Sequence, residues 1–282
     1  MRYAGMLTRD PILAPLPPSV VAPFGSADRL APHFSRPGRR HDYAWGSVKG
    51  AYVMNLGLVP YREAWALQRS LAGAVRQGAI PDTILMLEHP AVVTLGRRTD
   101  EAELHIPEGA EVELVETNRG GKSTFHGPGQ LVYYPILDLR RHGQDVKRYC
   151  RDLEEALVQT LAAFSLDGQR IDGFTGVWLH PPPRKIASIG IHISRWVTTH
   201  GYALNVDLDP APFTQWITAC GLEEAAFTTI ARELGRSVTV DEVRPHALGA
   251  LAEVFALELE ELPADAGHGL WPQPVHEQLA VR

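Results

Sequence analysis

The sequence predicts an α+β fold, and three observations carry that expectation. Apolar runs of strand length come in clusters, instead of alternating with helices as a doubly wound parallel sheet requires. Residues 61–77 and 145–165 repeat apolar side chains at helical spacing, and residues 240–256 form a further helical segment. The composition, 45% hydrophobic and 21% charged over 282 residues, is that of an ordinary globular chain.

Residues 1–50 hold seven prolines and no sustained period, so they predict a Pro-rich, mobile N-terminal extension. Order is expected from residue 51, with AYVMNLGLV (51–59) as a strand. Pro60 suits the first turn of the helix over 61–77, whose apolar stripe includes Ala64, Leu67, Leu71 and Val75. Residues 83–88, 91–95 and 113–117 read as strands. A glycine-rich loop leads into QLVYYPILDL (130–139), a buried strand. The helix over 145–165 carries Tyr149, Leu153, Ala156, Leu157, Leu161 and Phe164 on one stripe. Strands at 176–179, 186–193 and 202–206 follow, then a short helix at 211–219 and a last helix at 240–256. The catalytic body is placed at 51–262, and residues 263–282, with Pro263, Pro272 and Pro274, are expected to form a loose tail.

Several function classes are excluded. Two cysteines, Cys150 and Cys220, cannot build a disulfide scaffold or a four-cysteine zinc site. Histidine is plentiful, but without HExxH or a close carboxylate–histidine pair no metal site and no cofactor is expected. No run approaches the roughly 18 apolar residues of a membrane helix, and no secretory signal is read at the N-terminus. The net charge is −6, with residues 1–50 at +4 and the rest at −10, which argues against nucleic acid as a partner. Residues 119–151 run against this trend, with seven basic residues against Asp138 and Asp145. They read either as a solvated face or as a docking patch for an acidic partner.

The densest motif is NRGGKSTFHGPGQ (118–130), four glycines among Arg119, Lys122, Thr124, His126 and Gln130. Glycines let backbone approach a ligand closely, so this reads as a ligand loop. It is not a phosphate loop, because Glu116 occupies the place of the required first glycine and a strand follows where a helix is needed. Lys185 opens the apolar run of RKIASIG (184–190). A strand-end lysine is usually solvated, but one against an apolar wall has a lowered pKa and can move protons. Cys220 lies in TACGL, where Gly221 suggests a helix end; a small buried hydrophobe is the commoner fate of such a residue, and a helix C-terminus disfavours a thiolate. Cys150 lies within the long helix and reads as structural.

Together the loop 119–130, the strand 185–190, HGYALN (200–205) and ACGL (219–222) resemble the lipoyl(octanoyl) transferases, as do PYREAWALQ (60–68) and LEHPAVVTLGRRT (87–99). The resemblance runs from about residue 51 to 257. It implies the α+β architecture of biotin and lipoate protein ligases, and transfer of an octanoyl group from acyl carrier protein to a lysine of a lipoyl domain as the first step of protein lipoylation. It implies Cys220 as the nucleophile holding a thioester, with Lys185 as its partner. The implied acyl site comprises Arg119, Gly120, Gly121, Lys122, Ser123, Thr124, Phe125 and His126, then Ser188, Ile189 and Gly190, then Gly201, Tyr202 and Ala203. Implied acceptors are the lipoyl domains of 2-oxoacid dehydrogenase E2 subunits and the glycine cleavage H protein, in the cytoplasm. An ATP-dependent lipoate or biotin ligase is the alternative; such enzymes share the lysine but do not require the cysteine.

Overall fold

A computed structural model of the chain describes residues 49–217 and 226–263. In order these form β1 (Lys49–Leu58), α1 (Tyr61–Gln77), β2 (Asp82–Glu88), β3 (Val92–Leu95), β4 (Glu113–Glu116), β5 (Thr124–His126), β6 (Gln130–Ile136) and α2 (Val146–Ala162). There follow β7 (Gln169–Ile171), β8 (Phe174–Leu179), β9 (Arg184–Ser194), β10 (Val197–Asn205), α3 (Pro212–Gln215), β11 (Ala226–Phe227), α4 (Ile230–Leu234), α5 (Val240–Phe255) and β12 (Leu257–Leu262). The α+β class is as expected. A large mixed sheet runs β12-β1-β2-β6-β10-β9-β8-β7, with β11 joined to β9, and a small sheet runs β4-β3-β5.

Side-chain alternation assigns the two faces of the large sheet. Leu131 and Tyr133 of β6, with Tyr202 and Leu204 of β10, meet Leu153, Leu157 and Leu161 of α2 and Val243, Ala247 and Leu251 of α5. Val132, Tyr134 and Ile136, with Ala203, face Ala64, Leu67, Leu71 and Val75 of α1. The helix caps are chemical. Asp145 accepts from the Arg148 N–H at the start of α2, and Gly78 in the left-handed region (φ 70°) closes α1.

Departures from expectation concern short elements and ends. β5, β7, β11 and α4 are two to five residues long, too short to show a period. β12 holds its place by parallel pairing with β1, a tertiary contact. β1 starts at Lys49, two residues inside the expected extension. α2 stops at Ala162, and Ser165 beyond it has a φ of 59°. The short helix spans Pro212–Gln215, with residues 218 and 219 outside the described residues. The expected extension and tail lie outside them too, save for Lys49, Gly50 and Pro263.

One irregularity positions the site. Val177 is opposite Ala187 but Trp178 is opposite Lys185, so β9 carries an extra residue, Ile186. Ile186 and Ala187 both turn to the α2–α5 side. The bulge therefore sends Lys185 to the other face, with Ser188 and Gly190.

Leu157→Ala, at a fully buried position between α2, α5 and the sheet, is expected to lower stability by about 2–5 kcal/mol. Urea unfolding followed by circular dichroism measures this, and a loss below about 1 kcal/mol would show a softer core than described.

Candidate active site

A cavity of about 420 Å³ opens on the α1 side of the large sheet, between β9 and β10 beneath and the loop 119–126 above. Two floor positions are glycine because other chain lies close, the loop at Gly190 and β6 at Gly201. A Cβ on Gly190 would come within 3.1 Å of Arg119 Cδ, and one on Gly201 within 2.2 Å of the Tyr133 carbonyl. Gly121, at φ 87°, turns the loop.

Arg119 holds the loop. Its buried guanidinium donates from Nη2 to the Thr94 carbonyl (2.6 Å) and Oγ1 (2.8 Å), and from Nη1 to the carbonyls of Lys122 (2.7 Å) and Gly120 (3.1 Å). Its charge is thus spent on the protein's own carbonyls. The Gly120 N–H donates to the Ile191 carbonyl (2.8 Å), which ties the loop to β9. Lys122 forms an ion pair with Glu103. Ser123 Oγ, buried at the cavity wall, has no hydrogen-bond partner among the described residues.

Of the residues expected at the acyl site, all but Phe125 line this cavity. Alternation in β5 turns Thr124 and His126 inward and Phe125 outward. The Phe125 ring packs edge-on against Phe213 and Trp216, with centroids 5.8 and 5.6 Å away. Tyr202 and Ile189 pack toward the α2–α5 core, so they reach the cavity through backbone. Sequence reasoning missed Tyr61, Arg98, Val132, Tyr134, Ile191 and His200 in the lining. The spacing of Val132 and Tyr134 along β6 carried a signal for two of them. Cys150 and the residues Gly173, Phe174 and Thr175 also line the cavity.

Lys185 is 4% exposed. Its Nζ donates to the Thr175 carbonyl (3.0 Å) and sits 5.1 Å from the centre of the Trp178 ring. Its strand partner is Phe227, two residues into the chain that resumes after residue 225. Cys220 lies outside the described residues. The described residues around it are placed. Ile217 packs in the cluster of Phe125 and Phe213, and Ala226 pairs with Arg184.

The wall near α1 is a cluster of neutral rings. His89 Nδ1 donates to the Val59 carbonyl (2.7 Å), so its Nε2 accepts from the Tyr134 hydroxyl (2.7 Å). Burial lowers the pKa of His89 to about 4. Burial, then the charge of Arg119, lowers His200 to about 3, and His126 is pushed well below the usual imidazole value, mainly by burial. Burial also raises the Cys150 thiol to about 11, helped by the Glu154 charge, which makes it a poor nucleophile near neutral pH.

The four arginines at 140–151 are not a free patch. Arg140 grips Asp138, Arg141 meets Asp82 at 2.6 Å, Arg148 faces Asp152 at 3.6 Å, and Arg151 meets Glu154 at 3.4 Å. No group of three or more potential metal ligands occurs among the described residues, and no helix there is long and apolar enough to cross a membrane.

Residues 60–252 match the lipoyl protein ligase A/B catalytic domain. The chain is 53% identical over 200 residues to an octanoyltransferase of Mycobacterium tuberculosis, covering 71% of this chain and 84% of that protein. It is 46% identical over 214 residues to the octanoyltransferase of Geobacter sulfurreducens, covering 76% and 88%. Among solved structures it resembles a putative lipoate protein ligase from T. acidophilum with bound lipoic acid, with a TM-score of 0.64, 16% identity and coverage of 78% and 92%. A lipoate-protein ligase A bound with ATP gives a TM-score of 0.63 at 15% identity, with the same coverage. At such identities these two establish the fold. The chain belongs to the octanoyltransferases, acyltransferase enzymes of the lipoyl protein ligase A/B catalytic family.

Two outcomes follow from this site. Arg119→Lys keeps the charge but loses the planar fork that holds Thr94 and the loop carbonyls. It is expected to lower the melting temperature by several degrees and to speed amide exchange across 119–123; unchanged exchange would remove Arg119 as the loop's anchor. The buried histidines give an acid limb of stability. Their folded pKa values lie below the unfolded value of ~6.5, so the stability they confer is full above about pH 6.5. It is lost as pH falls toward the values of about 4 for His89 and about 3 for His200. Urea midpoints measured from pH 7.5 to 4.5 should fall from pH ~6.5 downward; a flat profile between pH 6.5 and 5 would contradict neutral histidines.

Proposed function

We propose that the enzyme takes an octanoyl group from octanoyl-acyl carrier protein onto Cys220 as a thioester and passes it to a lysine of a lipoyl domain, with Lys185 as the partner of Cys220. The supporting observation is the placement of Lys185. A β-bulge turns a buried lysine into the acyl-sized cavity, and its strand partner Phe227 belongs to the segment that follows Cys220. Ile217 before Cys220 and Ala226 after it are both anchored beside this end of the cavity. Cys150, its thiol pKa raised by burial, is a poor nucleophile near neutral pH.

The chemistry needs no nucleotide. Exchange of an acyl group between two thiols is nearly isoenergetic, and transfer from a thiol to an amine is downhill. A cationic lysine beside the thiol favours the thiolate, the form that attacks. In this reading the acyl chain lies along Val132, Ala203 and the glycines of β9 and β10, under the loop held by Arg119. The acceptors are lipoyl domains such as those of 2-oxoacid dehydrogenase E2 subunits and the glycine cleavage H protein, and the setting is the cytoplasm.

Intact-mass analysis after mixing with octanoyl carrier protein, with ATP omitted and a chelator present, should show one octanoyl adduct that maps to Cys220. Addition of a lipoyl domain should discharge it. Cys220→Ala should lose both adduct and transfer, and Lys185→Ala should slow adduct formation at least ~100-fold. An adduct confined to Cys150, or strict dependence on ATP, would overturn the reading.

A further inference from the structure

Lys185 is coupled to a buried carboxylate on the helix side of the sheet. Its Nζ donates to the Thr175 carbonyl (3.0 Å), and the N–H of the same peptide unit, that of Gly176, donates to Glu154 Oε1 (3.2 Å). A single peptide therefore stands between the amine and the carboxylate, its C=O turned to one and its N–H to the other. Glu154 is 5% exposed and belongs to α2, which packs on the face of the large sheet opposite α1.

The local backbone is built for this. The register of β8 with β9 begins at Val177, opposite Ala187, so the Thr175–Gly176 peptide turns its polar groups to these two side chains. Gly176 leaves room for the amine: at φ 124° it has no side chain, and a Cβ there would lie 2.9 Å from Lys185 Cε and 3.3 Å from Nζ. The two oxygens of Glu154 divide their partners. Oε2 faces Arg151 of α2 and Arg170 of β7, each at 3.4 Å, and Oε1 is given to the Gly176 N–H. Arg170 also meets Glu155 at 2.6 Å, and Arg151 faces Asp172 at 3.7 Å. Cys150 of α2 lines the cavity with Lys185 and feels the Glu154 charge. Trp178 of β8 and Tyr202 of β10 add uncharged rings, and Glu233 of α4 is held by Arg184.

We propose that Glu154 is a positioning residue for acyl transfer: through the Thr175–Gly176 peptide it holds the Lys185 amine in the cavity and balances its charge. This rests on the reading above that gives Lys185 a part in the transfer. A carboxylate that accepts from one end of a peptide polarises it and makes the carbonyl at the other end a stronger acceptor. A negative charge across one peptide also opposes loss of the proton from an ammonium. Loss of the carboxylate charge loosens the amine and lets it deprotonate at lower pH. Loss of a cation from Oε2 does the reverse.

The test follows Lys185 directly. The chain has four lysines, so enzyme carrying 13C at lysine Cε gives few signals, and the one missing from Lys185→Arg is that of Lys185. Its chemical shift is followed from about pH 6 to about pH 11. In Glu154→Gln the titration midpoint should fall by at least ~0.5 pH unit, and in Arg170→Gln it should rise by at least ~0.3. Opposite signs mark an effect of charge, since altered packing has no reason to reverse between the two. Octanoyl transfer from carrier protein to a lipoyl domain is timed on the same variants. Glu154→Gln should lower kcat at least ~10-fold with KM for the carrier within about 3-fold of wild type, and its pH–rate limb should move with the midpoint. An unmoved midpoint in Glu154→Gln, or shifts of one sign in both variants, would overturn the assignment. Arg170 lies on edge strand β7, so Arg170→Gln decides the matter by the sign of its shift if Glu154→Gln does not fold. Transfer by Lys185→Ala within about 3-fold of wild type would instead fall on the reading of Lys185 itself.

Discussion

The site depends on one buried guanidinium. Arg119 has no carboxylate partner in its hydrogen-bond set; its donors go to the carbonyls of Thr94, Gly120 and Lys122 and to the Thr94 hydroxyl. A buried charge stays in place only if its donors are satisfied. Here that requirement fixes the path of the loop and binds the small sheet to the large one. Gly96 must be small because a Cβ there would come within 2.4 Å of the Gly121 carbonyl and 2.7 Å of Arg119 Nη1. The cavity is the space left when the loop is pinned by Arg119 above a floor of Gly190 and Gly201.

The surroundings then set the electrostatics. Around the Arg119 cation the neighbouring histidines are kept neutral. His89 and His200 are tied to a backbone carbonyl, hydroxyls and an amide, and burial removes the water that would stabilise a second positive charge. Neutral rings suit an apolar acyl chain, and Lys185 lies at the end where its carbonyl accepts from the Thr228 N–H. The bulge at Ile186 is what turns Lys185 toward the cavity, since regular pairing would have turned it into the core between sheet and helices.

The long elements were legible in the sequence because their burial is periodic. α1 begins and ends where Pro60 and the spacing of Ala64, Leu67 and Leu71 place it, and β6 is a run buried at every position. The loop 119–126 was legible as a ligand loop because glycines and polar residues are concentrated there without a helical or strand period. Basic residues at 140–151 looked like a patch in sequence; Asp152 is one helical turn from Arg148, but Arg141 pairs with Asp82 of β2, a partner no local pattern reveals.

By itself, then, the sequence determined the class of fold and the glycine-rich ligand loop at 118–130, since these are written in periodicity and local composition, while Cys220 and Lys185 came as candidates from the family resemblance. The tertiary structure alone decided that Phe125 faces Phe213 and not the cavity, that Lys185 faces inward, and that His126 Nδ1 meets Gln130. The first follows from strand alternation across a small sheet whose third strand is three residues long. The other two follow from a strand register and from a hydrogen-bond chain that begins at Thr228, about a hundred residues from His126 in sequence. Contacts over such separations depend on which strands pair, and pairing is settled only when the whole sheet closes on its core.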